Sequence, residues 1–82
     1  MIVLDRLEFL KMCVKKGVSL EQAAPSIVSM NNNLWTCDES HSSFPAVIAS
    51  ASSDNEMVIL VGGMQNVDNF QNNFINTQTK KE

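Results

Sequence analysis

The chain has 82 residues, 44% of them apolar, with six lysines and arginines against nine aspartates and glutamates and a net charge of −3. That is enough for one small domain, spanning 1–82, which buries only about 60% of its unfolded surface, and the apolar content excludes disorder of the whole chain. Between Gly17 and Thr79 there is no lysine or arginine, while Glu21, Asp38, Glu39, Asp54, Glu56 and Asp68 give that stretch a formal charge of −6, so phosphate, nucleic acid and anionic substrates find little to hold them there.

Residues 2–16 read as an amphipathic basic helix. Val3, Leu7, Leu10 and Val14 recur at i, i+4, i+7 and i+11, which is one helical face. Asp5 and Glu8 lie early and Lys11, Lys15 and Lys16 late, an order that complements the helix dipole. Gly17 is placed to end this helix in a left-handed conformation. Ser19 and Gln22 then have the spacing of a capping box for a second helix beginning at Leu20. Pro25 lacks an N–H and its ring clashes with the carbonyl of Glu21, so this helix is expected to kink there and continue to about Met30. Asn31, Asn32 and Asn33 stop it, because asparagine tolerates turns and left-handed backbone.

Leu34–Cys37 is expected to be a short strand and 38–45 a polar loop. Ala46–Ala51 and Glu56–Val61 flank Ser52, Ser53, Asp54 and Asn55, a turn cluster, and read as an antiparallel hairpin. The unbroken apolar run Met57–Val61 makes the second of these a central strand with both faces covered. Gly62 and Gly63 end it. Met64, Val67, Phe70 and Phe74 then recur at helical spacing, which predicts a final amphipathic helix held by packing, because asparagine is a weak helix former. Residues 76–82 are expected to fray.

The fold class expected is therefore α+β: two N-terminal helices on a small antiparallel sheet with a central hairpin, closed by a C-terminal helix. The longest apolar run falls far short of the roughly 20 residues that span a bilayer. Asp5, Arg6 and Glu8 interrupt any secretory apolar region at the N-terminus, so a cytoplasmic location is the expectation. Cys13 and Cys37 are then free thiols in or near the core. Small domains are often completed by association, so a homo-oligomer is a further expectation.

Four constellations bear on chemistry. Cys37, Asp38, Glu39, Ser40 and His41 form the densest reactive cluster, in which Cys37 and His41 suggest a thiolate pair or a metal site. Asp38 and Glu39 oppose that reading, because acidic neighbours raise a thiol pKa, and a solvated acidic loop is the plainer account. The segment Lys15–Ala24 resembles the corner of a helix–turn–helix, but its second helix offers Glu21 and Gln22 where a DNA reader needs cations. A buried helical corner accounts for it as well. Gly62 and Gly63 lack the third glycine or lysine of a nucleotide-binding loop, so a plain turn is the better reading. Trp35 would anchor a partner if exposed, and would close the sheet if buried, the commoner fate of a large aromatic.

In its length, its lack of a membrane or export segment, the N-terminal helix beginning Met1, Ile2, Val3, Leu4, Asp5, Arg6 and its asparagine-rich C-terminal part, the whole chain resembles the antiholin-like, cytoplasmic lysis-inhibition accessory proteins of T-even-type phages. The resemblance implies a phage accessory protein that binds the cytosolic segment of a holin or of an antiholin and delays lysis. It carries no family site onto individual positions. The functional expectation is a non-enzymatic protein-binding regulator without cofactor or metal, its partner surface drawn from Arg6, Lys11, Lys15, Lys16 and Trp35. A helix–turn–helix-like DNA-binding regulator and a thiol or metal site at Cys37 and His41 are the alternatives.

Overall fold

A computed structural model describes residues 1–48 and 54–79. In chain order the elements are β1 (Ile2–Asp5), α1 (Arg6–Lys16), α2 (Leu20–Ala23), a 3-10 turn (Ala24–Ser26), β2 (Ile27–Asn31), β3 (Leu34–Cys37), α3 (Asp54–Val61) and α4 (Met64–Thr79). The fold is α+β, with one three-stranded antiparallel sheet in the order β1-β3-β2.

Three expectations about element order are corrected. The chain does not begin with a helix: Ile2–Asp5 is an edge strand paired with β3, with Ile2 opposite Cys37 and Leu4 opposite Trp35. Its side chains alternate between partly buried and exposed, the period-2 pattern of a strand. Asp5 turns the chain into α1 as its N-cap, its carboxylate accepting from the N–H of Leu7 at 3.0 Å. The helical spacing of Val3 and Leu7 was a coincidence across that boundary.

The second helix does not reach Met30. It makes one turn, its capping box formed in both directions by Ser19 and Gln22, and Pro25 falls in a 3-10 turn that delivers the β-branched Ile27 and Val28 into β2. A bulge at Val28 separates the Ile27–Cys37 pairing from that of Ser29 with Thr36. The extra residue lets Ile27 and Met30, three positions apart, both point into the core. The hairpin of the sheet is thus β2–β3, closed at Asn32 and Asn33, with Asn32 left-handed at φ 55°.

The expected central strand Glu56–Val61 is helix α3, and no hairpin with Ala46–Ile48 exists; Ala49–Ala51 lie outside the described residues. A five-residue apolar run carries no period of its own, so it fits a packed helix as well as a strand. Gly62, at φ 78°, ends α3 with its N–H on the carbonyl of Val58, and a Cβ there would collide with the Asn66 amide. The final helix is present, and it runs on through Thr79.

The core lies between the inner face of the sheet and the helices. Phe9, Leu10 and Cys13 of α1, Trp35 and Cys37 of β3 and Val67 of α4 are fully buried. Phe9 is central, its ring 5.4 Å from that of Trp35 and 6.4 Å from that of Phe44, both tilted. Phe44 and Pro45 pin the loop after β3 onto this cluster. Gly17 ends α1 as expected: it is left-handed at φ 77°, and the N–H groups of Gly17 and Val18 close onto the carbonyls of Val14 and Cys13.

Candidate functional site

Three places present candidate groups: a polar cleft over Gln71, the Cys37–His41 segment and an apolar groove between α1 and the α3–α4 corner.

Gln71 lies inside the buried arc of α4, four residues after Val67 and three before Phe74. Its Oε1 accepts from Trp35 Nε1 at 3.3 Å and from the Arg6 guanidinium at 2.8 Å, and its Nε2 donates to the Asn32 carbonyl at 2.6 Å. Indole and guanidinium only donate, so the shared atom has to be the oxygen, which fixes the amide orientation. Arg6 also pairs with Asp68 at 2.8 Å, and its main-chain N–H reaches the Asn33 carbonyl at 2.6 Å. One amide thereby joins α1, the β2–β3 turn, the indole of β3 and α4. The open cleft above it, about 560 Å³ and lined by Arg6, Asn32, Asn33, Asp68, Gln71 and Asn72, contains a cation already neutralised by a carboxylate. The side chains of Arg6, Asp68 and Gln71 are committed to contacts that hold the fold together. In the sequence the place of Gln71 within the apolar arc of the final helix is the signal that it is buried, and the lone tryptophan is the signal that a buried acceptor is required.

Cys37 and His41 are not brought together. Cys37 is buried with its Sγ 3.8 Å from the Trp35 carbonyl, while exposed His41 accepts on Nδ1 from the Ser43 N–H at 3.0 Å. Burial pushes the Cys13 thiol up to about 12, with Cys37 close by adding to the rise, and burial pushes Cys37 up to about 11. A nucleophilic thiolate needs the opposite shift. Asp38 instead organises its own turn: its carboxylate accepts from the hydroxyl and the N–H of Ser40 at 2.6 and 3.0 Å, and these bonds hold it below the usual carboxylate range. Among the described residues no group of three His, Cys, Asp or Glu could hold a metal ion.

The helical corner Lys15–Ala24 exists, but its second helix is a single turn with Glu21 and Gln22 outward. A recognition helix of that length cannot lie along a groove of DNA. Of the residues expected to meet a partner, Trp35 is removed from the surface altogether, as a core aromatic. Arg6 is mostly buried and internally paired. Lys15 and Lys16 are exposed and Lys11 partly so.

The groove is built from residues that the sequence reading places in the first helix, the expected central strand, the turn that ends it and the final helix. Leu7 of α1, Met57 and Val58 of α3, and Gly63 and Met64 at the α3–α4 corner line a cavity of about 330 Å³. Leu7 is 41% exposed, Val58 54% and Met64 42%, and Ile59 on the crest of α3 is 84% exposed. The α3 run from Met57 to Val61 is apolar on every side, yet only one side faces the core. A helix apolar all round is normally covered on all sides. The open face of the sheet also exposes Val3 and Leu34, but mixes them with Asp5, Ser29, Asn31 and Thr36.

Comparison with protein-family models, with curated proteins and with solved structures returns no match. Among the described residues no helix is long and apolar enough to cross a membrane.

Proposed function

We propose that this chain is a non-enzymatic protein-binding regulator or inhibitor that docks another polypeptide on the apolar face formed by Leu7, Val58, Ile59 and Met64. The observation that carries this reading is Ile59, a large aliphatic residue 84% exposed beside an apolar groove in a domain too small to waste core residues. The surroundings support a docking role over a chemical one, because the cysteines are buried with raised pKa values and the guanidinium of Arg6 is committed to Asp68 and Gln71. Lys11 and Lys15 follow Leu7 at one-turn steps along α1 and give the face a cationic border, the part of the expected partner surface that remains. The resemblance to lysis-inhibition accessory proteins gives the cytosolic segment of a holin or of an antiholin as the first heterologous partner to test, with delayed lysis of a phage-infected host as the outcome in the cell.

The experiment is affinity capture from the native host with the natural chain and with Ile59→Glu, each checked for an unchanged circular dichroism spectrum. A polypeptide, whether a host or phage protein or another copy of this chain, that is held by the natural chain and released by the variant is the expected result. Capture that is indifferent to the variant, or substrate turnover by the purified chain, overturns the reading.

A further inference from the structure

The face just described contains both halves of a contact. The groove lined by Leu7, Met57, Val58, Gly63 and Met64 is a hole, and Ile59, one residue beyond Val58 on the crest of α3, is a knob. A knob and a hole side by side on one surface are what a two-fold contact requires, since each residue of such an interface meets in its partner the residue that meets it in return. The groove's 330 Å³ readily admits a branched aliphatic side chain.

Charge points to the same occupant. The net charge of −3 sets copies of this chain against each other at random orientations, but its distribution is uneven. Along α1 the residues that continue from Leu7 at one-turn steps are Lys11 and Lys15, on a helix that also carries Glu8, whereas the sequence between Gly17 and Thr79 has no lysine or arginine and a formal charge of −6. Setting the cation-free stretch of one copy against α1 of another brings anionic sequence to the cations it lacks, twice over in a two-fold pair.

We propose that a second copy of this chain covers the face, with Ile59 of each copy seated in the Leu7–Met57–Val58–Gly63–Met64 groove of the other. The inference rests on the docking reading above and names its partner. Such a dimer would also be the state in which the five apolar residues of α3 are covered on every side.

Analytical ultracentrifugation of the natural chain from low micromolar to several hundred micromolar tests it, with Ile59→Glu and Met64→Lys as variants. The expected result is a concentration-dependent mass of twice the chain for the natural protein, a single-chain mass for each variant alone, and a return of the doubled mass when the two variants are mixed. The mixture restores one native knob-in-groove contact and sets a glutamate against a lysine at the other. A natural chain of single mass throughout overturns the second-copy proposal, and a doubled mass that survives in either variant alone overturns the face assigned. Should a variant fold poorly, methyl resonances of the natural protein decide: those of Leu7, Val58, Ile59 and Met64 shift on dilution while those of Val3 and Leu34 on the open sheet face stay fixed, and the reverse pattern refutes the assignment. A single-mass chain that still loses a heterologous partner on Ile59→Glu separates failure of this inference from failure of the docking reading.

Discussion

Replacing Gln71 with leucine tests whether one buried amide holds the fold together. Leucine fills most of the same volume, so no large cavity follows. What is lost is the acceptor for Trp35 Nε1, which lies 3.3 Å from Gln71 Oε1 on a fully buried indole. Water cannot replace it there, and an unsatisfied buried donor costs about 1–3 kcal/mol. The other two partners suffer less. Arg6 keeps Asp68 at 2.8 Å and is partly solvated, and the carbonyl of exposed Asn32 takes water. The apolar burial gained by leucine offsets a fraction of the loss, leaving a net destabilisation of about 2 kcal/mol. A domain of this length has a total stability of about 4 to 12 kcal/mol, so the change is large, and it lowers the melting temperature by roughly 10 °C. Urea unfolding followed by circular dichroism and by Trp35 emission measures it, and the folded variant emits further to the blue because its indole N–H has lost its partner. Asn72→Ala, on the exposed side of the same cleft, serves as control and changes stability by less than about 0.5 kcal/mol. A Gln71→Leu protein as stable as the natural chain refutes the account of Gln71 as a structural tie and reopens the cleft as a binding site.

Two further outcomes follow from the buried thiols and from the α3–α4 corner. Cys13 and Cys37 hold their protons in the folded state up to about 12 and about 11, against 9.0 for a free thiol. Folded pKa values above the unfolded ones give stability that is fully present below pH 9 and lost as pH rises through the folded values. Urea midpoints should therefore stay flat to about pH 9 and then fall, with a limiting slope of about 1.4 kcal/mol per pH unit per thiol, and Cys13→Ala should lower the baseline but make the fall shallower; a flat profile through pH 11 contradicts the burial of both thiols. Gly62→Ala should cost more than Gly17→Ala: both force a left-handed conformation worth about 1–2 kcal/mol, but only at Gly62 does the new Cβ meet the Asn66 amide. Adding Asn66→Ala should recover the difference, and equal losses for the two glycine variants would show the corner to be looser than drawn.

What the sequence made legible were the features whose chemistry is local. The Gly17 cap, the Ser19–Gln22 capping box, the strand at Leu34–Cys37 and the apolar spacing of α4 each depend on neighbours within one or two turns, and each is present. The misread elements were decided by contacts distant in sequence. Ile2–Asp5 is a strand because β3 lies beside it, and nothing within the segment outweighs the accidental spacing of Val3 with Leu7. Ile27–Asn31 takes the other side of β3, and the hairpin turn at Asn32 and Asn33 served there as a helix stop in the sequence reading. Ser52, Ser53, Asp54 and Asn55 suit a helix N-terminus as well as a turn, and Asp54 is in fact the first residue of α3. The groove was invisible for the same reason: with Met57–Val61 taken as a covered central strand, no aliphatic residue there was left over for the surface.

The charge segregation that dominates the sequence acquires a different meaning once the elements are in place. Of the four N-terminal cations, Arg6 is drawn inward and paired, so it stabilises the meeting of α1 with α4 and adds nothing to the outer field. The remaining cations share α1 with Leu7, and the exposed Val58 and Ile59 lie in the stretch of sequence that has no lysine or arginine. Charges at the border of an apolar contact orient the approach of a partner and exclude wrong registers, whereas the aliphatic side chains they surround supply the affinity. A chain with its fixed cations confined to its ends has little purchase on polyanions, and in the proposed pair the cations of α1 would border a hydrophobic knob and hole.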